Sequence, residues 1–332
     1  MTPRVWVVLG SVCCCLAAGR PIVGVLSVPT AKECVTALGG RSVAEATGGG
    51  SCFHSLYVKW LEAAGAQVVP IRYDSSDAQL KALVAQLNGV LFTGGEVDIK
   101  ARADPAAAQY MRAASLLYDE VRAAHAEGEA VPLWGTCMGL QTLSILGAGG
   151  NGTVLSSGTY DSENESLSLE LTPAAKASRL LGGPDAHGAP DVMRWLTTEN
   201  VTSNLHHDGV GPAEFEVNAQ LRAAFTPLST NEDRNGLPFV STIEAKGGAP
   251  IWATQWHPER PQFEWVAGRG INHGAHAVKS MQFFANFFVA RARENNRSFA
   301  SEEAEAKALI YNFRLTGTTS YQAYLFDPAS AL

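Results

Sequence analysis

The chain has 332 residues, of which 46% are hydrophobic, and its formal net charge is −7 at pH 7. A chain of this length and apolar content can bury a sizeable core, in one large α/β domain or in two small ones. The acidic balance, without any run of Lys or Arg, argues against nucleic acid as a partner.

The N-terminus has the pattern of a secretory signal peptide. Arg4 precedes an apolar run from Val5 to about Ala18, and small residues continue to Gly19. The run is shorter than the roughly 20 residues that a membrane span needs. We therefore predict a signal peptide at 1–19 and a mature chain at 20–332 that is not attached to a membrane. An uncleaved anchor is the alternative interpretation.

The six cysteines divide between these two segments. Three adjacent cysteines, at 13–15, leave with the signal peptide, and Cys34, Cys52 and Cys137 remain. Cys34 and Cys52 flank a glycine-rich segment, which favours a disulfide between them and leaves Cys137 as a free thiol. The alternative is that all three thiols are buried and unpaired.

Four N-x-S/T sequons support the secretory interpretation. None has proline in the middle position, so each is an acceptor for N-glycosylation on the surface of a secreted protein. The candidate asparagines are Asn151, Asn164, Asn200 and Asn296.

The first half of the mature chain alternates strand-like and helix-like segments. This order predicts a single α/β domain whose mostly parallel, doubly wound sheet carries helices on both faces, as in flavodoxin-like folds. Sheets of this kind bind ligands at the carboxyl ends of their strands. Strands are predicted at 22–28, 68–71, 90–92 and 131–134, and helices at 53–64, at 77–87 with Asp77 as the cap, and at 110–127.

The second half of the chain is more mixed. Its predicted strands lie near 201–205, 239–244 and 251–255, and a helix is predicted at 276–294. No internal repeat and no long linker interrupts it, so we expect an elaborated part of the same domain.

The segment GTCMG, residues 135–139, has the form of a nucleophile elbow. A tight strand-to-helix turn needs glycine on either side of the nucleophile, and it lifts the Cys137 thiol out of the sheet. The helix behind it directs the positive end of its dipole at the sulfur, which favours a thiolate. A buried structural cysteine between turn glycines is the alternative.

The segment QWHPE, residues 255–259, supplies a base for that thiol. His257 and Glu259 are two residues apart, so in an extended segment both side chains lie on one face. Glu259 can then accept from one imidazole nitrogen while the other nitrogen meets Cys137. By itself a His-Pro-Glu is more often a plain loop.

A third turn, Thr93-Gly94-Gly95, follows the predicted strand at 90–92. We expect the backbone N–H of Gly95 to face the same oxyanion as the N–H of Met138, with Gly94 beside the substrate. One such donor stabilises an acyl-transfer transition state by about 3 kcal/mol. A simple turn without a catalytic role is the alternative.

Together, LFTGG, PLWGTCMGL and QWHPE resemble the class I glutamine amidotransferase-like superfamily, and within it the γ-glutamyl hydrolase family. Four further segments are similar to that family, and the resemblance extends over about 21–327. They are YVKWLEAAGAQVVPIR, HPERPQFEW, HAVKSMQFFANFFVARARENN and ALIYNF. The chain departs from the family pattern between Val28 and Ser51.

The resemblance implies roles for individual residues. Cys137 matches the family's nucleophile, His257 its catalytic base and Glu259 the third member of the triad. His206, rather than its neighbour His207, matches a further active-site histidine.

The function expected from these features is hydrolysis of γ-glutamyl amide bonds through a thioester on Cys137, without metal or organic cofactor. The family implies poly-γ-glutamyl folates as the small-molecule substrate, a homodimer, and delivery to a vacuole or lysosome or export from the cell. The alternatives are hydrolysis of other γ-glutamyl amides, a glutaminase of the amidotransferase type, and a non-catalytic vacuolar storage or binding protein.

Overall fold

The computed structural model describes residues 19–29, 50–101, 103–318 and 321–327. Predictions that concern residues 1–18 and Cys34 therefore lie outside the described residues. No helix among the described residues is both long and apolar enough to span a bilayer.

An eight-stranded sheet forms the centre of the molecule, in the order β4-β1-β5-β6-β12-β11-β10-β8. The first five strands in this order run parallel, whereas β11, β10 and β8 are antiparallel additions. Its strands are β1 (Ile22–Leu26), β4 (Gln67–Ile71), β5 (Gly89–Phe92), β6 (Leu133–Thr136), β8 (Glu170–Leu171), β10 (Phe225–Glu232), β11 (Pro238–Ala245) and β12 (Ile251–Thr254).

The remaining strands form two smaller sheets. A four-stranded sheet has the order β13-β14-β3-β2, and β7 pairs with β9. Their strands are β2 (Val28–Pro29), β3 (Ser51–His54), β7 (Ser162–Leu167), β9 (Thr202–His206), β13 (Leu315–Gly317) and β14 (Gln322–Phe326).

Twelve α-helices occur in the described part of the chain. They are α1 (Ser55–Glu62), α2 (Asp77–Val84), α3 (Pro105–Ala126), α4 (Met138–Gly147), α5 (Arg179–Gly182), α6 (Pro184–His187), α7 (Pro190–Thr198), α8 (Pro212–Val217), α9 (Ala219–Ala224), α10 (Arg260–Phe263), α11 (Ala275–Ala292) and α12 (Glu302–Ala308).

Helices cover both faces of the parallel strands, because alternate strand residues point to opposite sides. In β5, Val90 and Phe92 belong to one apolar cluster and Leu91 to the other. The first cluster includes buried residues of α2, α3 and α4, and the second includes those of α1 and α11. The predicted doubly wound α/β fold is therefore confirmed.

Several predicted boundaries were wrong because their determinants lie outside the local sequence. Phe53 and His54 belong to β3 rather than to the following helix, since they pair with β14 near the other end of the chain. The strand predicted at 131–134 is β6, and it continues to Thr136 because β12 pairs with it there.

The cap of α2 was also predicted wrongly. Ser76 accepts from the backbone N–H of Gln79, whose side chain accepts in return from the N–H of Ser76. This reciprocal capping box satisfies two helix-terminal donors, and Asp77 is the first helical residue.

Cys52 is disulfide-bonded, and its partner lies outside the described residues. Cys137 is free and buried. The alternative of three unpaired thiols is therefore wrong, while the pairing with Cys34 remains a prediction.

Candidate active site

Cys137 lies in a sharp turn between β6 and α4. Its backbone has φ 53° and ψ −108°, a conformation that L-residues rarely adopt. Such a residue persists only when its surroundings fix it, at a cost of about 1–3 kcal/mol. This turn therefore has the strained geometry of a nucleophile elbow.

Two glycines allow the turn to pack closely. A Cβ on Gly139 would lie 2.5 Å from the carbonyl oxygen of Phe92, and one on Gly135 would lie 2.8 Å from the Gly139 carbonyl. Neither neighbour is a flexible side chain. Backbone contact between β6, α4 and β5 thus explains why the sequence has glycine at both positions.

His257 reaches Cys137 because β12 is the parallel neighbour of β6. The Cys137 N–H donates to the carbonyl oxygen of Thr254 over 2.7 Å, so the chain that leaves β12 passes beside the thiol. The His257 ring lies beside the Cys137 side chain, close enough for the two groups to interact electrostatically.

Glu259 orients the opposite side of the imidazole. The Nδ1 of His257 lies 2.7 Å from Glu259 Oε1, and both side chains are buried. The expected extended segment was wrong: Glu259 has φ −83° and ψ −15° and caps α10, so the two side chains meet across a turn.

The histidine and the carboxylate form a buried ion pair. Burial alone would lower the pKa of His257, but the charge of Glu259 and the contact with Cys137 raise it to about 10. Burial alone would raise the pKa of Glu259, but the charge of His257 and its hydrogen bond lower it. His257 therefore carries its proton at neutral and acidic pH.

The oxyanion donors expected from the sequence lie beside the thiol. Within the described residues, neither the N–H of Met138 nor that of Gly95 has a hydrogen-bond acceptor. A Cβ on Gly95 would lie 3.0 Å from the Met138 methyl group, so the two residues are in contact.

Gly94 lies in the same turn as Gly95, but its N–H group already has an acceptor. Its N–H donates to the hydroxyl of Tyr57 over 2.8 Å, so it is not free for an oxyanion. A Cβ at Gly94 would lie 2.9 Å from His257 Cε1 and 3.3 Å from Cys137 Cβ. Glycine at this position lets the turn approach both catalytic side chains.

A cleft of about 460 Å³ opens beside the thiol. It is lined by Gly95, Glu96, Val97, Asp98, Cys137, Gln141, Ser157, Glu163, Leu205, His206, His207 and Asp208. One cleft thus contains Cys137, Gly95, His206 and His207.

His206 is held as a neutral acceptor. Burial lowers its pKa to about 3. Its Nδ1 donates to the carbonyl oxygen of Asp208 over 2.9 Å, so its buried Nε2 carries a lone pair and has no partner among the described residues. His207 is more exposed, and its Nδ1 donates to the carbonyl oxygen of Tyr160.

Sequence reasoning missed two side chains at this site, those of Gln255 and Tyr57. Gln255 Nε2 lies 3.6 Å from the Cys137 sulfur, and Gln141 Nε2 lies 3.4 Å from Gln255 Oε1. Tyr57 holds the turn at Gly94. Gln255 and Tyr57 fall within quoted motifs, but only contacts between distant segments give them these positions.

The four sequons differ in their surroundings. Asn151, Asn200 and Asn296 are exposed. The Asn164 carboxamide instead binds a neighbouring loop, accepting from the N–H of Gly270 over 2.6 Å. Glycosylation at all four remains a prediction.

The chain has the class I glutamine amidotransferase-like fold, and Cys137, His257 and Glu259 lie together at one edge of its sheet. The glutaminase domain of Trypanosoma brucei CTPS with bound acivicin matches with a TM-score of 0.50 at 13% identity, covering 84% of this chain and 98% of that one. At this identity, the match supports the fold alone.

The chain belongs to the Peptidase C26 family, whose model matches residues 21–259. It is 35% identical over 312 residues to gamma-glutamyl hydrolase of Bos taurus, covering 93% of this chain and 90% of that protein. The human gamma-glutamyl hydrolase is 34% identical over 93% of this chain and 91% of its own length. Gamma-glutamyl hydrolase B of Dictyostelium discoideum is 34% identical, with 82% and 76% coverage. The resemblance inferred from the motifs is thus confirmed.

Proposed function

We propose that the protein hydrolyses γ-glutamyl amide bonds with Cys137 as its nucleophile. The observation that carries this proposal is the contact of Cys137, His257 and Glu259 at a strained elbow in an open cleft. The relatives named gamma-glutamyl hydrolase cover most of the chain and indicate the bond.

In the first half of the reaction, the Cys137 sulfur attacks the γ-carbonyl carbon. The N–H groups of Gly95 and Met138 donate to the resulting oxyanion, which forms where both donors are unoccupied. His257 holds the proton that the Cys137 thiol has given up, because the pKa of the buried imidazole is raised. Its imidazolium gives this proton to the leaving amine as the amide C–N bond breaks, which leaves a γ-glutamyl thioester.

In the second half, the same histidine works as a base. Neutral His257 takes a proton from water, and the hydroxide attacks the thioester carbonyl. The C–S bond breaks, and the sulfur leaves with its electron pair beside the restored imidazolium. Glu259 stays ionised throughout and holds the ring orientation.

The substrate class follows from the family, and poly-γ-glutamyl folates are the substrates that we propose. We also propose a secretory route that begins with the signal peptide at 1–19, and a homodimer in a vacuole, in a lysosome or outside the cell. N-terminal sequencing tests cleavage of the signal peptide, a glycosidase mobility shift tests glycosylation along the secretory route, and sedimentation of the native protein tests the homodimer. An intact N-terminus would contradict the secretory route.

Product analysis on a poly-γ-glutamyl folate tests the proposed activity. The mature protein and Cys137→Ala are compared at mildly acidic pH, and we expect glutamate or short γ-glutamyl peptides from the first protein alone. Product lengths distinguish cleavage at the terminus from internal cleavage. Turnover of free glutamine without any turnover of the folate would instead indicate a glutaminase, and inactivity on both would favour the non-catalytic alternative.

A further inference from the structure

A series of buried charged side chains begins at Glu259 and extends away from His257. Arg260 Nε lies 3.7 Å from Glu259 Oε1, and an Arg260 guanidinium nitrogen binds the carboxylate of Glu264. Arg260 and Glu264 are almost fully buried. Because a buried charge needs a partner, these residues form one connected unit with the triad's carboxylate.

The same series of charges reaches the cleft. Glu264 Oε1 lies 3.7 Å from Arg269 Nε, and Arg269 Nη1 lies 3.3 Å from Glu163 Oε1. Glu163 lines the cleft, and its other oxygen lies 4.0 Å from His207 Nε2. The sign alternates at each step, from a buried carboxylate at Glu259 to a carboxylate at the cleft wall.

Arg269 is held behind Glu163 by its own loop. Asn164, the neighbour of Glu163, donates to the Gly268 carbonyl over 3.2 Å and accepts from the Gly270 N–H. Ser166 donates to the Gly270 carbonyl over 2.7 Å. These bonds join the residues on both sides of Arg269 to β7, so the guanidinium keeps its place if the Glu163 side chain moves.

His207 has a fixed orientation as well. A carbonyl oxygen can only accept, so the contact with Tyr160 places the Nδ1 hydrogen of His207 on that side. The Nε2 atom therefore points towards Glu163, and it donates to a carboxylate when the ring is protonated. The carboxylate of Glu163 thus lies between two basic groups that stay in place without it.

Among the described residues, the other charged groups of the cleft are carboxylates, which do not suit an anionic substrate. Glu96, Asp98 and Asp208 line it together with Glu163. A γ-linked glutamyl chain carries an α-carboxylate on every residue, about 5 Å from the γ-carbonyl carbon in an extended conformation. Such a chain needs a cation near the thiol.

We propose that Arg269 and His207 form a carboxylate subsite, and that an α-carboxylate of the substrate replaces the carboxylate of Glu163. This inference rests on the proposed function. The Glu163 side chain is 40% exposed, so it can move into water at small cost because water already screens its ion pair. With the substrate carboxylate in place of the Glu163 carboxylate, positive and negative groups still alternate along the series.

The test uses benzoyl-capped γ-diglutamate, whose capped amine removes a competing ammonium group, and two analogues in which one α-carboxylate is a carboxamide. We expect Arg269→Gln to raise KM for the parent substrate about tenfold, as for a lost charge-assisted bond, with little change in kcat. One of the two carboxamides will abolish this difference and so identify the bound carboxylate. Arg269→Lys should restore part of the affinity.

Glu163→Gln is the second variant, and its predicted effect has the opposite sign. Loss of the internal competitor should lower KM for the parent substrate while the subsite itself is intact. Arg234→Gln is the matched control, since Arg234 donates to the backbone carbonyl of Glu163 and pairs with other carboxylates.

Two results would overturn the subsite. One is an Arg269→Gln effect that persists with both carboxamides, which would reduce Arg269 to a structural role. The other is a higher KM in Glu163→Gln, which would make Glu163 itself a binding group. If the wild-type protein hydrolyses no γ-glutamyl bond at all, the proposed function fails before the subsite is tested.

Discussion

Two regions of the site are held in place differently. The catalytic edge is the sheet edge with Cys137 and His257, and the cleft wall is the side of the cleft formed by Glu163 and His207. At the edge, Cys137 and His257 are buried and held by backbone contacts between neighbouring parallel strands. At the wall, Glu163 and His207 are half-exposed, and Glu163 is paired with Arg269 of a distant loop. The first region is rigid where bonds break, and the second can exchange one carboxylate for another. Changes at the edge should therefore have larger effects than changes at the wall.

The largest effect should follow from Glu259→Gln. The amide keeps the shape but not the charge, so the pKa of His257 should fall and the imidazolium should lose its stabilisation. We expect kcat to fall by about 10²–10⁴, the usual contribution of a positioned acid or base. Steady-state kinetics across pH measures the fall in kcat, and a kcat equal to that of the wild type would contradict the triad.

The same ion pair should make stability depend on pH. The pKa of His257 is raised from 6.5 to about 10, so its contribution is fully present below 6.5 and disappears as pH rises towards 10. The pKa of Glu259 is lowered from 4.5, so its contribution is present above 4.5 and disappears as pH falls. Urea unfolding at about pH 6 and about pH 9 measures how much free energy of unfolding is lost between them. This loss should be larger in the wild type than in Glu259→Gln. Equal losses in the two proteins would mean that other groups cause the pH dependence of stability.

A smaller effect is expected at Gly139. The Cβ of Gly139→Ala would meet the Phe92 carbonyl at 2.5 Å, and the backbone must shift. We expect the free energy of unfolding to fall by about 1–3 kcal/mol, as in overpacked cores, together with a loss of kcat. Gly188→Ala is the control, because its Cβ would have ordinary contacts at 3.5 Å. Denaturant titration distinguishes them, and similar stabilities would contradict the tight elbow.

The smallest effect belongs to the wall. Asn164→Ala removes two hydrogen bonds to the Arg269 loop, at an exposed site. We expect a loss of about 1 kcal/mol in the free energy of unfolding, with kcat unchanged. Asn200→Ala, at an exposed asparagine, is the comparison for thermal unfolding. A large fall in kcat would mean that the wall is coupled to the chemistry.

Sequence alone predicted the catalytic edge well, because its parts are local motifs at the ends of apolar strands. The elbow at Cys137 and the pair His257 and Glu259 could each be recognised within five residues. The fold class followed from the alternation of strands and helices. The structure places these residues together.

The wall could not be predicted in the same way. Arg269 meets Glu163 across a large separation in sequence, and no periodicity or motif connects them. The same is true of β3, whose partner β14 lies near the end of the chain and turned a predicted helix start into a strand. Both features depend on contacts between residues that are far apart in sequence. Such contacts cannot be recognised in a single sequence.

The pairing of β3 with β14 also affects how the protein is made on the ribosome. β3 leads directly into α1, whose Tyr57 holds the turn at Gly94. Until β14 has left the exit tunnel, β3 lacks one of its two neighbouring strands and presents an open edge, which is prone to pairing with other chains. The nascent polypeptide therefore completes this side of its candidate active site only after β14 has been synthesised. Chaperone binding should accordingly concentrate on the early, incomplete chain.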